Sequence, residues 1–553
     1  MSVSAVDAGQ LPALSTPRSA ARRAPTNKWL VTVSVSFGTL MGAIDASIVN
    51  VALVHIRGAV GATIEEITWI STGFVIATVL VMPLTAFLGR IFGQKRVYMA
   101  SLALFLVGSM LCGTAHSLVA LVAWRVLQGF GAGALQPTEQ AILRQTFPPK
   151  EQGMAMALFA MAVMLGPALG PTLGGVIVDN ASWEWIFYIN LPVGLLGLFM
   201  VWKFVHEPDD IREANLKAAA ETKKNIDWWG IALMTIGLSS LQYVLEEGDQ
   251  ESWFDSRVIT VMVLVAIFGL AAFVIRELTA KAPVVNLRLF KDPVFASGTL
   301  IGAVMFAMLM ANMFLLPIFM QELLGFTATQ SGLNLMPRTL AMMVIVPIVG
   351  KLYNRVSPRL MIAFGVVTFA IGAFMMSHFT LETSPSGIFV SLVWQGIGFA
   401  CLFVPLTTVA LSKIPRDKLT DATGLNSLLR QVGGSIGLAV FATLLGRYAT
   451  QARASLSAHV SPYNLAAMQR LAAVQQGLMA RGLDAASAQA AAPGALAGAV
   501  AQQAMVLSFE KVFLLAGILF LAILPLLFFL KVDRSEEKSA SESGHKPEMH
   551  LEM

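Results

Sequence analysis

Inside apolar stretches long enough to cross a membrane, the ionisable side chains that stand clear of the ends are Asp45, Arg125, Glu139, Arg338 and Arg430. A charge at such a depth costs at least ~2.5–3.5 kcal/mol on insertion scales, and intramembrane charges usually face the bundle interior and pair. At a rise of 1.5 Å per residue, Asp45 lies about 24 Å up its helix from Trp29, and Arg125 about 10 Å down its own from the opposite end. The two therefore share a depth and can meet if their helices are neighbours. Burial raises a carboxylate's pKa and a nearby arginine lowers it. An aspartate poised between the two can take up and lose a proton as its surroundings switch. A static ion pair that locks two helices is the alternative. Glu139 falls near the other end of the Arg125 helix, where it either attracts cations at a mouth or sits solvated. Arg338 and Arg430 read as packing or gating residues, and His55, His116 and His378, near helix ends, as structural.

The elements that must hold these residues are membrane helices. The 553 residues are 56% hydrophobic and 13% charged, about half the charged fraction of a soluble chain, and mean hydropathy is +0.70. Segments of roughly 20 apolar residues fall near 29–53, 68–88, 97–115, 118–143, 154–178, 185–205, 229–246, 257–275, 295–319, 331–352, 359–379, 387–411, 422–446 and 511–531, about fourteen in all. Arg22-Arg23 precede a run too long for a signal-peptide h-region, so the first segment is a retained helix. The net charge of +5 speaks for topology rather than nucleic-acid binding. Lys and Arg crowd the loops after even-numbered helices, including Arg90, Lys95, Arg96, Arg144, Lys150, Lys351 and Arg355, which places both termini in the cytoplasm by the positive-inside rule. Cys112 and Cys401 lie in apolar runs and imply no disulfide.

The chain repeats itself. PLTAFLGRIFGQKR from Pro83 matches PIVGKLYNRVSPR from Pro347, and the same shift of 264 pairs Gly38 with Gly302, Thr63 with Thr327 and Gly170 with Gly434. Such repeats build many secondary transporters, with substrate sites near the midplane. The expected organisation is a disordered tail (1–28), a six-helix bundle (29–205), a loop (206–228), two inserted helices (229–275), a second six-helix bundle (295–531) and a disordered tail (532–553). A long outer loop, 447–510, rich in Ala and Gln, reads as a helical cap, a mobile loop or a partner-docking element. Under the shift Asp45 falls on Leu309, so the acid breaks the symmetry. In MLGPALGPTLGGVIVD, Gly166, Gly170 and Gly174 form one face that permits close helix approach, while Pro167 and Pro171 free backbone carbonyls and invite bending. Phosphate-binding GxxxxGK[ST], HExxH and paired CxxC signatures are absent. The reading is a transporter rather than an enzyme, without cofactor and driven by an ion gradient. A moved proton carries about 2.3 kcal/mol per 100 mV.

These segments resemble the fourteen-helix drug:proton antiporters of the major facilitator superfamily, the EmrB/QacA type. IDASIVNVAL, with Asp45 and Asn50, is similar to that family's helix 1 motif. WRVLQGFGAGALQP, with Arg125, Gln128, Gly129, Gly131, Gly133 and Pro137, is similar to its helix 4 motif, and MLGPALGPTLGG to its antiporter motif. SWEWIFYINLPVG, QYVLEEGDQESWFDS, LMPR and LLRQVGGSIG resemble further signatures. The resemblance implies an all-α polytopic fold of 6 + 2 + 6 helices around a central cavity. It also implies export of hydrophobic compounds, often cationic, in exchange for protons across the bacterial inner membrane, together with a periplasmic adaptor and an outer-membrane channel. Gly93, Lys95 and Arg96 keep the helix 2–3 motif, but Ala86 and Arg90 stand where that family has Gly and Asp, Val54 where it often has Pro, and Glu184 where a basic residue is common. Asn50, Glu139, Met305, Phe306, Met310, Phe314, Gln321 and Asn334 are the candidate substrate contacts. The alternative is an exporter of one physiological solute, such as a fatty acid or siderophore.

Overall fold

A computed structural model describes residues 27–207, 226–280 and 283–530. The expected tails therefore lie outside the described residues except at their inner edges, as does most of the 206–228 loop. All fourteen expected helices are present: α1 (Lys28–Val60), α2 (Trp69–Phe92), α3 (Gln94–Gly113), α4 (Leu118–Thr146), α5 (Gln152–Asn180), α6 (Asn190–Phe204), α7 (Trp228–Glu247), α8 (Arg257–Thr279), α9 (Pro293–Ile318), α10 (Ala328–Leu352), α11 (Pro358–Met376), α12 (Pro385–Ala410), α13 (Leu419–Ala458) and α14 (Ala485–Leu521). Each is long and apolar enough to cross a membrane, α6 together with the short helix Trp185–Tyr188 before it. No strand occurs among the described residues.

The repeat reappears in the chemistry that starts and packs the helices. Thr63 and Thr327, paired by the sequence shift, both cap a helix reciprocally. The threonine hydroxyl takes the N–H of Glu66 or Gln330, and that side chain returns to the threonine N–H, which satisfies two otherwise orphaned donors. In helix 4 of each half, QGFG (Gln128–Gly131) corresponds to QGIG (Gln395–Gly398). A Cβ on Gly129 would stand 2.5 Å from the Phe74 carbonyl, and one on Gly396 2.5 Å from the Arg338 carbonyl. Phe74 and Arg338 are related by the 264-residue shift, and the two glycines that meet them stand 267 apart.

Helices α1–α6 pack against one another, as do α9–α14, and the halves meet mainly through α5 on α10 and α2 on α13. Both contacts use glycine: Gly153 faces Gly350 and Tyr353, and Gly424 lies against the Met82 carbonyl. The α7–α8 hairpin is joined by Gly237 on Leu270 and Gly269 on Gly237, and α7 rests on α2 and α13. At the hairpin's open end Asp227 caps α7 and accepts 2.9 Å from Arg276 Nε. Burial pushes this carboxyl's pKa up, but the Arg276 bond and backbone N–H donors outweigh it and hold it below the ordinary value. The tie is therefore present above the usual aspartate range and lost only as pH falls through the lowered value.

Of the readings of the outer segment 447–510, the helical one is met and the loop reading needs correction: α13 runs on to Ala458, the helix Leu465–Ala480 follows, and α14 already begins at Ala485. Its 40 residues make α13 about 60 Å long, twice the hydrocarbon thickness. The two extensions pack through small side chains, with Ala452, Ala488 and Ala492 buried. Hydropathy missed this because Ala and Gln form helix without being apolar enough to span. At the other end Pro525, which has no N–H to donate, lies in the 3₁₀ turn Leu524–Phe529 that follows α14.

The close approach of α5 to α1 rests on Gly166 and Gly170, where added Cβ atoms would fall 2.2 Å from Ala43 Cβ and 1.8 Å from Ser47 Oγ. Gly166→Val should lower the thermal midpoint of the detergent-purified protein by an overpacking cost of about 1–3 kcal/mol. Gly446→Ala, which meets nothing within 4 Å, should leave the midpoint unchanged or raise it.

Candidate functional site

Asp45 is 0% exposed, inside the first half. Its Oδ2 accepts from Arg125 Nη1 at 2.5 Å, and its Oδ1 from Gln128 Nε2 at 2.9 Å and Asn190 Nδ2 at 3.1 Å. Arg125 Nη1 also donates to Gln128 Oε1 at 2.8 Å, and its Nε to the Ile70 carbonyl at 3.3 Å. The guanidinium carbon lies 4.1 Å from the centre of the Phe74 ring. Asn190 continues the chain to Ser109 Oγ at 3.0 Å, whose hydroxyl donates to the Phe187 carbonyl. Helices α4 and α6 thus bond the carboxylate that α1 carries, α2 and α3 join through Ile70 and Ser109, and Gly108 lets α3 touch the backbone of Gln128. Paired and bonded in this way a buried charge is tolerable; with one partner removed it is strongly destabilising.

Of the expected pair and its motif neighbours, Asp45, Arg125 and Gln128 come together. Asn190 and Ser109 complete the network and were not singled out in the sequence, although Asn190 lies within SWEWIFYINLPVG. At the related place in the second half, Gln395 donates to Asn312 at 3.1 Å, and Leu392 stands three residues before it, where the first half has Arg125. The charged cluster has a neutral counterpart.

Phe74 separates this cluster from a central cavity of about 180 Å³ between the halves. Gly42, Ala43 and Ala46 line it from α1, on either side of Asp45, with Phe306, Leu309, Met310 and Met313 from α9 and Arg338 and Thr339 from α10. Of the eight candidate substrate contacts, Phe306 and Met310 reach the cavity. Met305 is fully buried in the core, and Phe314, Gln321 and Asn50 are exposed. Asn334 Nδ2 donates to the Gln330 carbonyl one turn back. Because α9 is apolar all round, its sequence does not say which face turns inward.

Glu139 corrects both of its expected settings. It is 0% exposed, neither at a mouth nor solvated, and accepts from Ser36 Oγ at 2.9 Å. Arg430 Nη2 donates to Ser427 Oγ at 3.4 Å, and its guanidinium lies 5.2–5.8 Å from the rings of Phe306, Phe403 and Phe159. Gly93 has φ +85° and ends α2, Lys95 donates to the Trp202 carbonyl at 2.7 Å, and Arg96 is exposed. Gly133 faces the Thr78 carbonyl, Gly174 meets Ile48, and the Cβ of Pro171 lies near Gly332. Pro137 is inside α4. Pro167 belongs to α5, but its side chain lies outside the described set.

Arg90, the basic residue in an acidic position, finds its acid in the other half. Its Nη1 donates to both oxygens of Asp421, at the start of α13, at 2.8 and 3.0 Å. Gln94 Nε2 donates to Thr420 Oγ1 at 2.6 Å, and Arg144 Nη2 to the Leu411 carbonyl at 2.7 Å. These bonds tie the two halves at the end that carries the basic loops.

Residues 35–438 match the Major Facilitator Superfamily model. The chain belongs to the Major Facilitator Superfamily. This superfamily member is 32% identical over 501 residues to the fatty acid resistance protein FarB of Neisseria gonorrhoeae, an overlap covering 91% of the chain and 96% of that relative. It is 35% identical over 437 residues to the multidrug export protein EmrB of Haemophilus influenzae, covering 79% of the chain and 84% of that relative. The expected EmrB-type kinship is thereby met. The solved proton:xylose symporter XylE superposes with a TM-score of 0.57 at 12% identity, covering 89% of this chain and 94% of that one, which shows the shared fold. The fourteen spans make the superfamily member a polytopic membrane protein.

Arg125→Leu should cost about 3–5 kcal/mol by leaving the Asp45 carboxylate buried without its cation. Asp45→Asn combined with Arg125→Leu should be more stable than Arg125→Leu alone, as read from detergent unfolding midpoints.

Proposed function

We propose that the chain exports hydrophobic and amphipathic compounds across the bacterial inner membrane by alternating access, in exchange for protons. The observation that carries this reading is the Asp45 cluster, a fully buried carboxylate one aromatic ring away from an apolar cavity between two repeated halves. Movement of the halves would change the solvation of Asp45 and its grip on Arg125, and so its hold on a proton. Drug export is supported by kinship with EmrB-type proteins. The bundles of 29–205 and 295–531 would rock about the cavity, with α7 and α8 as an inserted accessory. The proton gradient supplies the energy, and no cofactor is required.

The basic loops would face the cytoplasm, with both termini there and the Arg90–Asp421 tie closing that side. The helical extensions of α13 and α14 would then reach about 30 Å into the periplasm. They are a natural docking place for an adaptor protein that continues to an outer-membrane channel. A second reading, export of a single physiological solute such as a fatty acid, is favoured by the similarity to FarB.

Inside-out vesicles containing the chain should accumulate 1-N-phenylnaphthylamine, a neutral lipophilic dye, when a pH gradient (acid inside) is imposed, and should lose it on addition of an uncoupler. Equal dye levels in vesicles with and without the chain contradict export. Deleting 459–484, between the two long helices, should abolish adaptor capture while dye transport persists; unaltered capture contradicts the docking role.

A further inference from the structure

We propose that Arg338 is the head-group site of the central cavity, and that the cavity takes amphipathic anions whose carboxylate or similar head meets this guanidinium. The proposal rests on the export reading and names its substrate class. Arg338 is 4% exposed and lines the cavity. Its Nη1 is buried without a hydrogen-bond partner, and it belongs to none of the ion pairs among the described residues. It is the one charged side chain among the described residues that line the cavity.

A buried guanidinium normally has a carboxylate, as Arg125 has Asp45. Desolvating it without one is costly, and an anion entering the cavity beside it would offset that cost. Arg pairs with carboxylates through charge-assisted bonds that are often bidentate. The rest of the cavity fits the other end of such a molecule. At the place related to Arg338 by the repeat stands Phe74, and Met310, Met313, Leu335 and Met342 supply an adaptable apolar wall. Thr39, which lines the cavity from α1, adds a hydroxyl on the first half. The cavity is thus polarised, with a cation on the second half and an aromatic face on the first. An amphipathic anion would lie across both.

The test uses the full chain in nanodiscs at pH 7.5, with equilibrium binding of three twelve-carbon probes: laurate, dodecanol and dodecyltrimethylammonium. Wild type should bind laurate at least about tenfold more tightly than dodecanol, as a charge-assisted bond requires, and should bind the cation most weakly. Arg338→Gln should abolish the preference for laurate over dodecanol without weakening dodecanol itself, and Arg338→Lys should keep part of it. Equal binding of laurate and dodecanol by wild type, an undiminished preference in Arg338→Gln, or preferred binding of the cation overturns the proposal. Should Arg338→Gln not fold, an undiminished preference in Arg338→Lys overturns it and a reduced one supports it. Binding is read without any gradient, so a failure of dye export in vesicles and a failure of head-group recognition are told apart.

Discussion

The arrangement depends on a constraint of solvation: a carboxylate placed among membrane helices must be neutral, or paired and fully hydrogen-bonded. Asp45 meets it with Arg125, Gln128 and Asn190, drawn from helices other than its own. Those helices must approach within side-chain reach, which is why glycine recurs at their contacts. Gly108 brings α3 to α4, Gly129 brings α4 to α2, and Gly166 and Gly170 bring α5 to α1. Phe74 then has two roles fixed by position, covering the Arg125 guanidinium and lining the cavity. A change in what fills the cavity is one ring removed from a change in the ion pair.

The repeat explains how so asymmetric a site sits in a symmetric frame. Both halves use the same helix starts and the same Gln-Gly-x-Gly contact, so the backbone scaffold is shared. The polar content differs: the first half holds a charged aspartate–arginine pair, the second a neutral Gln395–Asn312 pair. Conversely, the second half presents an unpaired arginine to the cavity where the first presents phenylalanine. Under the proposals above, one half would handle a proton and the other would hold an anion; the halves are joined by Arg90–Asp421 and its neighbouring bonds.

Much of this was legible in the sequence because its signals are strong one-dimensional ones. Fourteen apolar runs exceed the length that hydrocarbon demands, and a shift of 264 aligns capping threonines and glycines. Depth counting from helix ends put Asp45 and Arg125 at one level before any contact was known. What escaped has physical reasons. Asn190 and Ser109 are small polar residues of kinds found throughout the chain, and nothing in one dimension points them at a carboxylate. The phase of α9 is hidden by its uniform apolarity, so Phe306 and Met310 could not be separated from Met305 and Phe314. Arg338 was visible as a charge, but its lack of a partner is a fact of three dimensions. Ala-rich continuity of α13 and α14 beyond the membrane likewise gives no hydropathy signal.

The central claim is that Asp45 carries the coupling proton rather than serving only as a strut for Arg125. Reconstituted Asp45→Asn keeps the side chain's shape and one acceptor for Arg125, so it separates the two roles. Proteoliposomes should be assayed for equilibrium exchange of labelled substrate and for accumulation under an imposed pH gradient. The account predicts that Asp45→Asn retains exchange and loses accumulation. Full gradient-driven accumulation by a folded Asp45→Asn protein would contradict it.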